Sequence, residues 1–453
     1  MAERTPTSDP TPTAWRVAAL AVLVGGVAAG LAAGRGARRF IGLSAAVAAA
    51  YVIPLAIAGR KPPIPPDADP LDPSLPPPTF SILVAARDEA AVVPNLVRDV
   101  AAQDHRAADG TAWFELIVVD DRSVDGTGNA AKTAAESSGI GPITRIVRRD
   151  GAGLIDGKGA ALTAVQPEAC TGEVVVVLDA DARIGPDFLR RLAAYVRAGA
   201  GAITARRRIL DADSSWLTGA QADEQTLDGE LQRGRWALGG CSEFRGNGIV
   251  VRRDLLAAVG GWRAEALTED LDLSSRLAAY RGITVAWALD VVVGEEPVRS
   301  VGALWRQRLR WAEGGIRRVL EHGPAVIASP LLGPRARIDF VVYAGQLVVP
   351  PAILGSLAGA AIRGRPGSAA ALLGTYLAAG GVLAYDALRW ETGLDGGPLP
   401  PRERARRALR VGLFSGIWLG AIPAAMWRLA TRRGTVGYEK MAHVGGGPGE
   451  WSG

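Results

Sequence analysis

Asp179 and Asp181 stand one residue apart in EVVVVLDADAR (173–183), where four valines and a leucine run straight into the acids. Hard oxygens at positions i and i+2 can hold a divalent ion that also grips a diphosphate. Alone, a DxD is as readily a solvated turn after a core strand. Five other stretches add to it. Asp120 and Asp121 close the apolar part of LIVVDDRSVDGTG, where carboxylates can accept hydrogen bonds from a base or ribose; a capped turn is the plain alternative. Lys158, one of four lysines, follows a glycine at a helix start, and an ammonium there favours phosphate. Gly246 and Gly248 flank Asn247 in FRGNGIVVRRDLLAAVGGW, allowing close backbone approach to a sugar or acceptor, as simple tight turns would also do. Thr268 can cap a helix whose first turn carries Glu269, Asp270 and Asp272. Such acids complement the helix dipole, and Asp270 can also serve as general base toward a hydroxyl. In WRQRLRWAEGG, Gln307, Arg308, Arg310 and Trp311 offer guanidinium groups to a diphosphate and an indole face to a sugar ring. The same stretch also reads as the basic anchor of an interface helix.

These side chains need a frame. The valine run predicts a strand buried on both faces of an α/β sheet, and acids at its C-terminal end fall on the rim where such sheets bind ligands. Further strands are predicted over 80–86, 115–121 and Ile143–Val147, and helices over Glu89–Ala102, Thr127–Glu136, Lys158–Val165 and 214–232. The alternation implies a mostly parallel, Rossmann-like sheet with crossovers.

The chain has 453 residues, of which 48% are hydrophobic, and a mean hydropathy of +0.15, which directs attention to the membrane. Two cysteines and three histidines leave no Cys/His metal framework. The net charge of +5 comes from arginines set beside apolar runs, which points to a membrane surface and away from nucleic acid. Apolar runs at Val17–Gly34 and Phe40–Gly59, joined by RGARR, predict a helical hairpin. The expected organisation is a disordered N-terminus (1–14), the hairpin (15–59), a Pro-rich linker (60–78), an α/β domain (79–299), amphipathic interface helices (300–330), about three membrane helices (338–427) and a tail (428–453). The three candidate spans are Phe340–Ile362, Ser368–Leu388 and Val411–Met426. The loop carrying Arg389, Arg402, Arg404, Arg406, Arg407 and Arg410 votes for the cytoplasm, and two spans before it place the α/β domain there too. That count sends RGARR and the basic tail outside, against the same rule.

The ordered set VVDDRSVDGT, GKGAAL, DAD, GNGIVVRRDLLAAVGGW, TED and QRLRW resembles the membrane-embedded family-2 glycosyltransferases, the group of the hyaluronan, cellulose, chitin and poly-N-acetylglucosamine synthases. The resemblance covers roughly 79–320 and the plan of helices on both sides. It implies a GT-A fold and an inverting transfer from a nucleotide-diphospho-sugar, expected to be a UDP-sugar. It assigns Glu89, Asp120, Asp121, Lys158, Asp179 and Arg310 to the donor, and Asp179 and Asp181 to Mg2+ or Mn2+. Asp270 becomes the base, and Asn247, Glu269, Gln307, Arg308 and Trp311 meet the acceptor. Two positions depart from the pattern: Arg122 stands where glycine is usual, and Asp88 where asparagine is usual. The acceptor is expected to be a growing polysaccharide, with an export or accessory subunit as a further partner, or else a polyprenyl phosphate or other membrane lipid. A non-catalytic, membrane-tethered nucleotide or carbohydrate sensor is the reading from another class. The implied location is the plasma membrane of a bacterium or archaeon, with the catalytic domain cytoplasmic.

Overall fold

The computed structural model describes residues 11–33, 50–51, 53–58, 76–151, 153–392 and 397–432. RGARR, most of the second apolar run and of the Pro-rich linker, and the tail after 432 lie outside the described residues.

The first helix is α1 (Thr13–Ala33). After it the chain builds β1 (Phe80–Ala86), α2 (Val93–Ala101), β2 (Phe114–Asp121), α3 (Thr127–Ser137), β3 (Thr144–Arg149), α4 (Lys158–Leu162) and β4 (Val174–Asp179). β5 (Arg183–Ile184), α5 (Phe188–Arg197), β6 (Ala202–Ile209), α6 (Trp216–Ala237), β7 (Ile249–Arg252), α7 (Arg253–Ala258), α8 (Glu269–Arg281) and β8 (Ala286–Glu295) follow. The eight strands form one sheet in the order β3-β2-β1-β4-β7-β6-β8-β5. Four neighbouring pairs are parallel, and β7 and β5 run antiparallel to their neighbours. The valines of β4 are buried on both faces because core clusters flank the sheet on either side: Val176 and Leu178 face one, Val175 and Val177 the other. Pattern reading missed β6 and β8. AITARRRI breaks its apolar run with three arginines whose partners lie far along the chain, Arg206 and Arg208 on Glu391 and Arg207 on Glu295 of the neighbouring strand. The first predicted helix starts four residues late, at Val93, because Glu89 to Val92 form a turn and Pro94 suits only a helix's first turn.

Register brings the acids together before any side chain is considered. β1 lies between β2 and β4, with Ala86 opposite Asp120 and Ala85 opposite Asp179. The two strand ends thus deliver their carboxylates to the same rim.

The C-terminal part is helical: α9 (Val301–Ala328), α10 (Pro334–Ala344), α11 (Val349–Ile362), α12 (Pro366–Ala387), α13 (Pro401–Phe414) and α14 (Ile417–Thr431). Among the described residues, four stretches are long and apolar enough to cross a bilayer: Thr13–Ala32, Pro334–Ile362, Pro366–Trp390 and Pro401–Thr431. The predicted span Val411–Met426 is not one helix; it straddles the break between α13 and α14 at Ser415 and Gly416. α1 and α11 pack closely, as Gly30 and Gly355 let the two backbones touch: a Cβ on either would meet backbone oxygen at 2.1 Å.

Candidate active site

Lys158 is the hub of the cleft. Gly157, at φ 124°, turns the chain into α4 and sets the ammonium where it donates to Asp179 and, at 2.7 Å, to the carbonyl of Gly246. Glu269 Oε1 lies 3.6 Å from the same nitrogen. Asp270 is at hand too, since a Cβ on Gly246 would lie 3.8 Å from its Oδ2. Strand β4, helix α4, the Gly246–Gly248 loop and the first turn of α8 therefore meet around one side chain. Burial works against the Lys158 charge, but Asp179 and Glu269 together outweigh it and hold the ammonium more firmly than usual. Burial pushes the Glu269 carboxyl up from its ordinary value against the pull of Lys158, and the neighbouring Asp270 adds to the rise.

Asn247 is buried. Its Oδ1 accepts the Asp179 N–H at 3.1 Å, and its Nδ2 has no hydrogen-bond partner. A buried amide NH2 left open beside the Asp179 backbone is a donor able to meet a ligand oxygen. Asp181 accepts the Glu296 N–H through Oδ2 at 3.0 Å, fixing it on the far side of the DAD turn.

At the other end of the cleft, Asp120 accepts from Ser123 N at 3.1 Å and Arg148 at 2.7 Å. Asp121 is gripped by Arg122 at 2.9 and 3.0 Å and by Arg149 at 2.7 Å. Burial alone would raise the Asp121 pKa, but these guanidinium bonds hold it below the usual range. Arg122 and Arg149 also bond Leu154 O and Ile155 O, tying down the loop that leads to Lys158. The two departures from the family pattern share a cause in the backbone: Arg122 (φ 57°) and Asp88 (φ 52°) are both left-handed, where glycine and asparagine are the low-cost residues. Asp88 holds its turn by accepting from Val124 N at 2.8 Å, while its own N–H donates to Ser123. Glu89 donates its backbone N–H to Thr127 Oγ1 at 2.7 Å, which places it at the same rim.

α9 closes the site on the side of the apolar helices, against which Leu309, Ala312 and Ile316 pack. Gly314 lets it sit on the turn before α8, since a Cβ there would lie 2.3 Å from Thr268 Cγ2. Arg310, half-buried, lies one helical turn before that contact. Trp311 is half-buried, with Arg207 at 5.6 Å and Arg308 at 4.3 Å from its ring centre. Arg308 itself is only 2% exposed; it pairs with Glu224 of α6 and bonds the Gln307 amide oxygen. Its guanidinium therefore touches both Glu224 and the Trp311 ring. Glu224, Arg148, Arg149 and Arg207 carry no motif, and their partners lie far away in sequence, so spacing alone offers no signal for them.

For a divalent cation, the Asp179–Asp181 pair is the right donor set: two hard carboxylates on one turn, each steadied by a separate hydrogen bond. Asp272, Glu321 and His322 also bring ligand atoms within 4.8 Å of one another. There Arg263 bonds both Asp272 and Glu321, and Arg276 bonds Asp272, so guanidinium groups already supply the positive charge. This cluster is an ion-pair knot fastening α8 to α9.

Comparison with known proteins fits this geometry. The family described as "Glycosyltransferase like family 2" matches residues 76–314. The Beta-monoglucosyldiacylglycerol synthase of Trichormus variabilis is 32% identical over 380 residues, covering 82% of this chain and 77% of that protein. The synthase of the same name from Synechocystis sp. is 33% identical over 380 residues, with 82% and 76% covered. The Poly-beta-1,6-N-acetyl-D-glucosamine synthase of Staphylococcus epidermidis is 26% identical over 245 residues, covering 52% of this chain and 54% of that one. Among solved structures, a mannosyltransferase from Pyrobaculum calidifontis, in complex with GDP-Man and Mn2+, superposes with a TM-score of 0.53 at 22% identity over 90% of this chain and 99% of that one. That likeness concerns the fold.

Proposed function

The chain belongs to the family-2-like glycosyltransferases, enzymes that transfer a sugar from a nucleotide-sugar, and from that premise we propose that it adds a single sugar to a membrane lipid of the diacylglycerol class. The observation that carries this reading is the seating of Thr268 against Gly314: it sets the proposed base on α8 directly against α9, the amphipathic helix bearing Trp311. A hydroxyl at the level of the lipid headgroups would reach Asp270 there. The relatives that match over most of this chain are named as glucosyldiacylglycerol synthases, and the polysaccharide synthase matches about half of it.

In this mechanism Asp270 takes the proton of the acceptor hydroxyl as its oxygen attacks the anomeric carbon, in a single displacement that inverts the centre. The bond to the diphosphate breaks with its electron pair on the departing oxygen. Lys158 and Arg310 stabilise that growing charge in the cleft. Asp179 and Asp181 would hold Mg2+ or Mn2+, which as a Lewis acid further neutralises the diphosphate. Asp120, Asp121 and Glu89 face the nucleoside, Asn247 and Glu269 orient sugar hydroxyls, and Gln307 and Trp311 line the acceptor side. Arg308 acts through Trp311 alone.

The domain is assigned to the cytoplasm. Arg407 and Arg410 bond Asp223 of α6 at 2.6 and 2.7 Å, and Arg389 pairs with Glu230 of the same helix. The arginine-rich segment therefore shares a side with the domain, and such segments are retained inside.

The test is product sizing after incubating purified enzyme in vesicles with diacylglycerol and a panel of labelled nucleotide-sugars. A single metal-dependent glycolipid species is expected. A ladder of polymer without glycolipid would overturn the lipid reading in favour of a polysaccharide synthase.

A further inference from the structure

α14 has the composition of a membrane span, yet its contacts at both ends are with the catalytic side of the molecule. At its start, the Trp418 indole N–H donates to Glu224 of α6 at 2.8 Å, and a Cβ on Gly420 would lie 3.1 Å from the Trp305 ring of α9. Beyond its end, Arg432 bonds Glu313 of α9 at 3.0 Å, and its carbonyl accepts from Arg16 at the start of α1. Between these points Ile422, Ala425, Met426 and Leu429 pack on Leu309, Ala312 and Ile316 of α9 and on Ala19 in the second turn of α1. The far side of the bundle is marked elsewhere, where Arg363, after α11, donates to Leu31 O near the end of α1.

Length argues the same way. Fifteen residues extend about 22 Å, short of a hydrocarbon core of about 30 Å. α13 does not make up the difference: Arg407 and Arg410 bond Asp223 of α6, Phe414 meets Trp216 edge to face, and its far end, Gly412 to Ser415, reaches only Leu377 and Tyr376, about half-way along α12.

We propose that α13 and α14 lie in the near leaflet as a monotopic surface and that the chain after Arg432 emerges on the same side as the catalytic domain. The partner of this surface is the leaflet already pierced by α1 and α11. Its outward residues suit that place: Leu409, Leu413 and Trp427 are exposed, as are Val301 and Trp305 of α9. Trp427 and Arg428 form the aromatic-basic pair favoured at headgroup level. The assignment also removes the conflict over the basic tail, since Arg432, Arg433 and Lys440 then join the arginine-rich loop. The residues after 432 contain no apolar run able to cross.

Cysteine labelling tests this in intact full-length enzyme, using a membrane-impermeant maleimide on sealed bacterial spheroplasts and on inverted vesicles. Cys170 and Cys241 are both buried, so the background is low. The reporters are Ser452→Cys and Ala442→Cys in the tail, Lys132→Cys on the exposed face of α3 and Gly367→Cys beyond α11, where a side chain meets open space. Both tail cysteines should react in whichever preparation labels Lys132→Cys, and Gly367→Cys in the other. Tail cysteines that label with Gly367→Cys would overturn the proposal and make α14 a span. The cytoplasmic assignment stands or falls separately: Lys132→Cys reacting in sealed spheroplasts would reverse it while leaving the shared side intact.

Discussion

The indole N–H of Trp418 donates to Glu224 at 2.8 Å, and the same carboxylate pairs with Arg308, whose guanidinium lies 4.3 Å from the centre of the Trp311 ring. Trp418 thus bears on the attitude of the Trp311 ring through Arg308 and a glutamate that no motif marks. Hydrogen bonds to a charged group contribute about 1.5–3 kcal/mol. Glu224→Gln should raise the KM for the lipid acceptor roughly 10-fold or more by that measure, while the KM for the donor stays put. An equal rise in both constants, or a fall in kcat alone, would show that Glu224 does not act through the acceptor side.

Gly314 allows α9 to touch the turn before α8. With a Cβ at 2.3 Å from Thr268, Gly314→Ala must push the two helices apart or rotate one. Overpacking of this kind costs about 1–3 kcal/mol, and the shift falls between Asp270 and Arg310. Transfer should fall by more than stability does. A variant with wild-type turnover would show that this spacing is not part of catalysis.

Arg122 occupies a left-handed position and holds Asp121 in a two-pronged grip. Arg122→Gly relieves a backbone strain of about 1–2 kcal/mol and frees one edge of the carboxylate for the nucleoside. The donor KM should fall, and discrimination among nucleoside diphosphates in competition assays should change. A sharp rise in donor KM would mean that Arg122 itself touches the donor.

Glu243 is buried with Arg235, Arg318 and Arg245 around it, and despite burial those arginines hold its carboxyl down at about 2. Because the folded value lies below the ordinary 4.5, the stabilisation is fully present above that pH and is lost as pH falls toward 2. Glu243→Gln leaves buried guanidinium charge uncompensated and should cost about 3–5 kcal/mol. Melting curves of the detergent-solubilised protein at pH 7 and pH 4 would check this. The variant should melt well below the wild type at pH 7, with a smaller gap at pH 4.

Much of the site was legible because its acids sit at strand ends. Asp120, Asp121, Asp179 and Asp270 follow from the apolar-run-then-acid pattern and from first-turn acids on a capped helix, both local signals. What spacing could not reveal is who holds them. Arg148 and Arg149 reach the paired aspartates from a neighbouring strand, and Lys158 serves Asp179 and Glu269 at once. Arg308 belongs to the same motif as Trp311, but nothing in the motif signals that it is buried and paired with Glu224. The last apolar run, Val411–Met426, falls within Pro401–Thr431, a stretch long and apolar enough to cross, but the break at Ser415 and Gly416 is not legible in hydropathy.

The most direct test of the central claim, that Lys158, Asp179 and Asp270 surround one sugar-transfer centre, is a single-turnover assay of Asp270→Asn with labelled donor binding measured on the same sample. Donor binding within a few-fold of wild type, with transfer reduced by two to four orders of magnitude, is the predicted result, on the order of what a positioned base contributes. Near-normal transfer in that variant would contradict it.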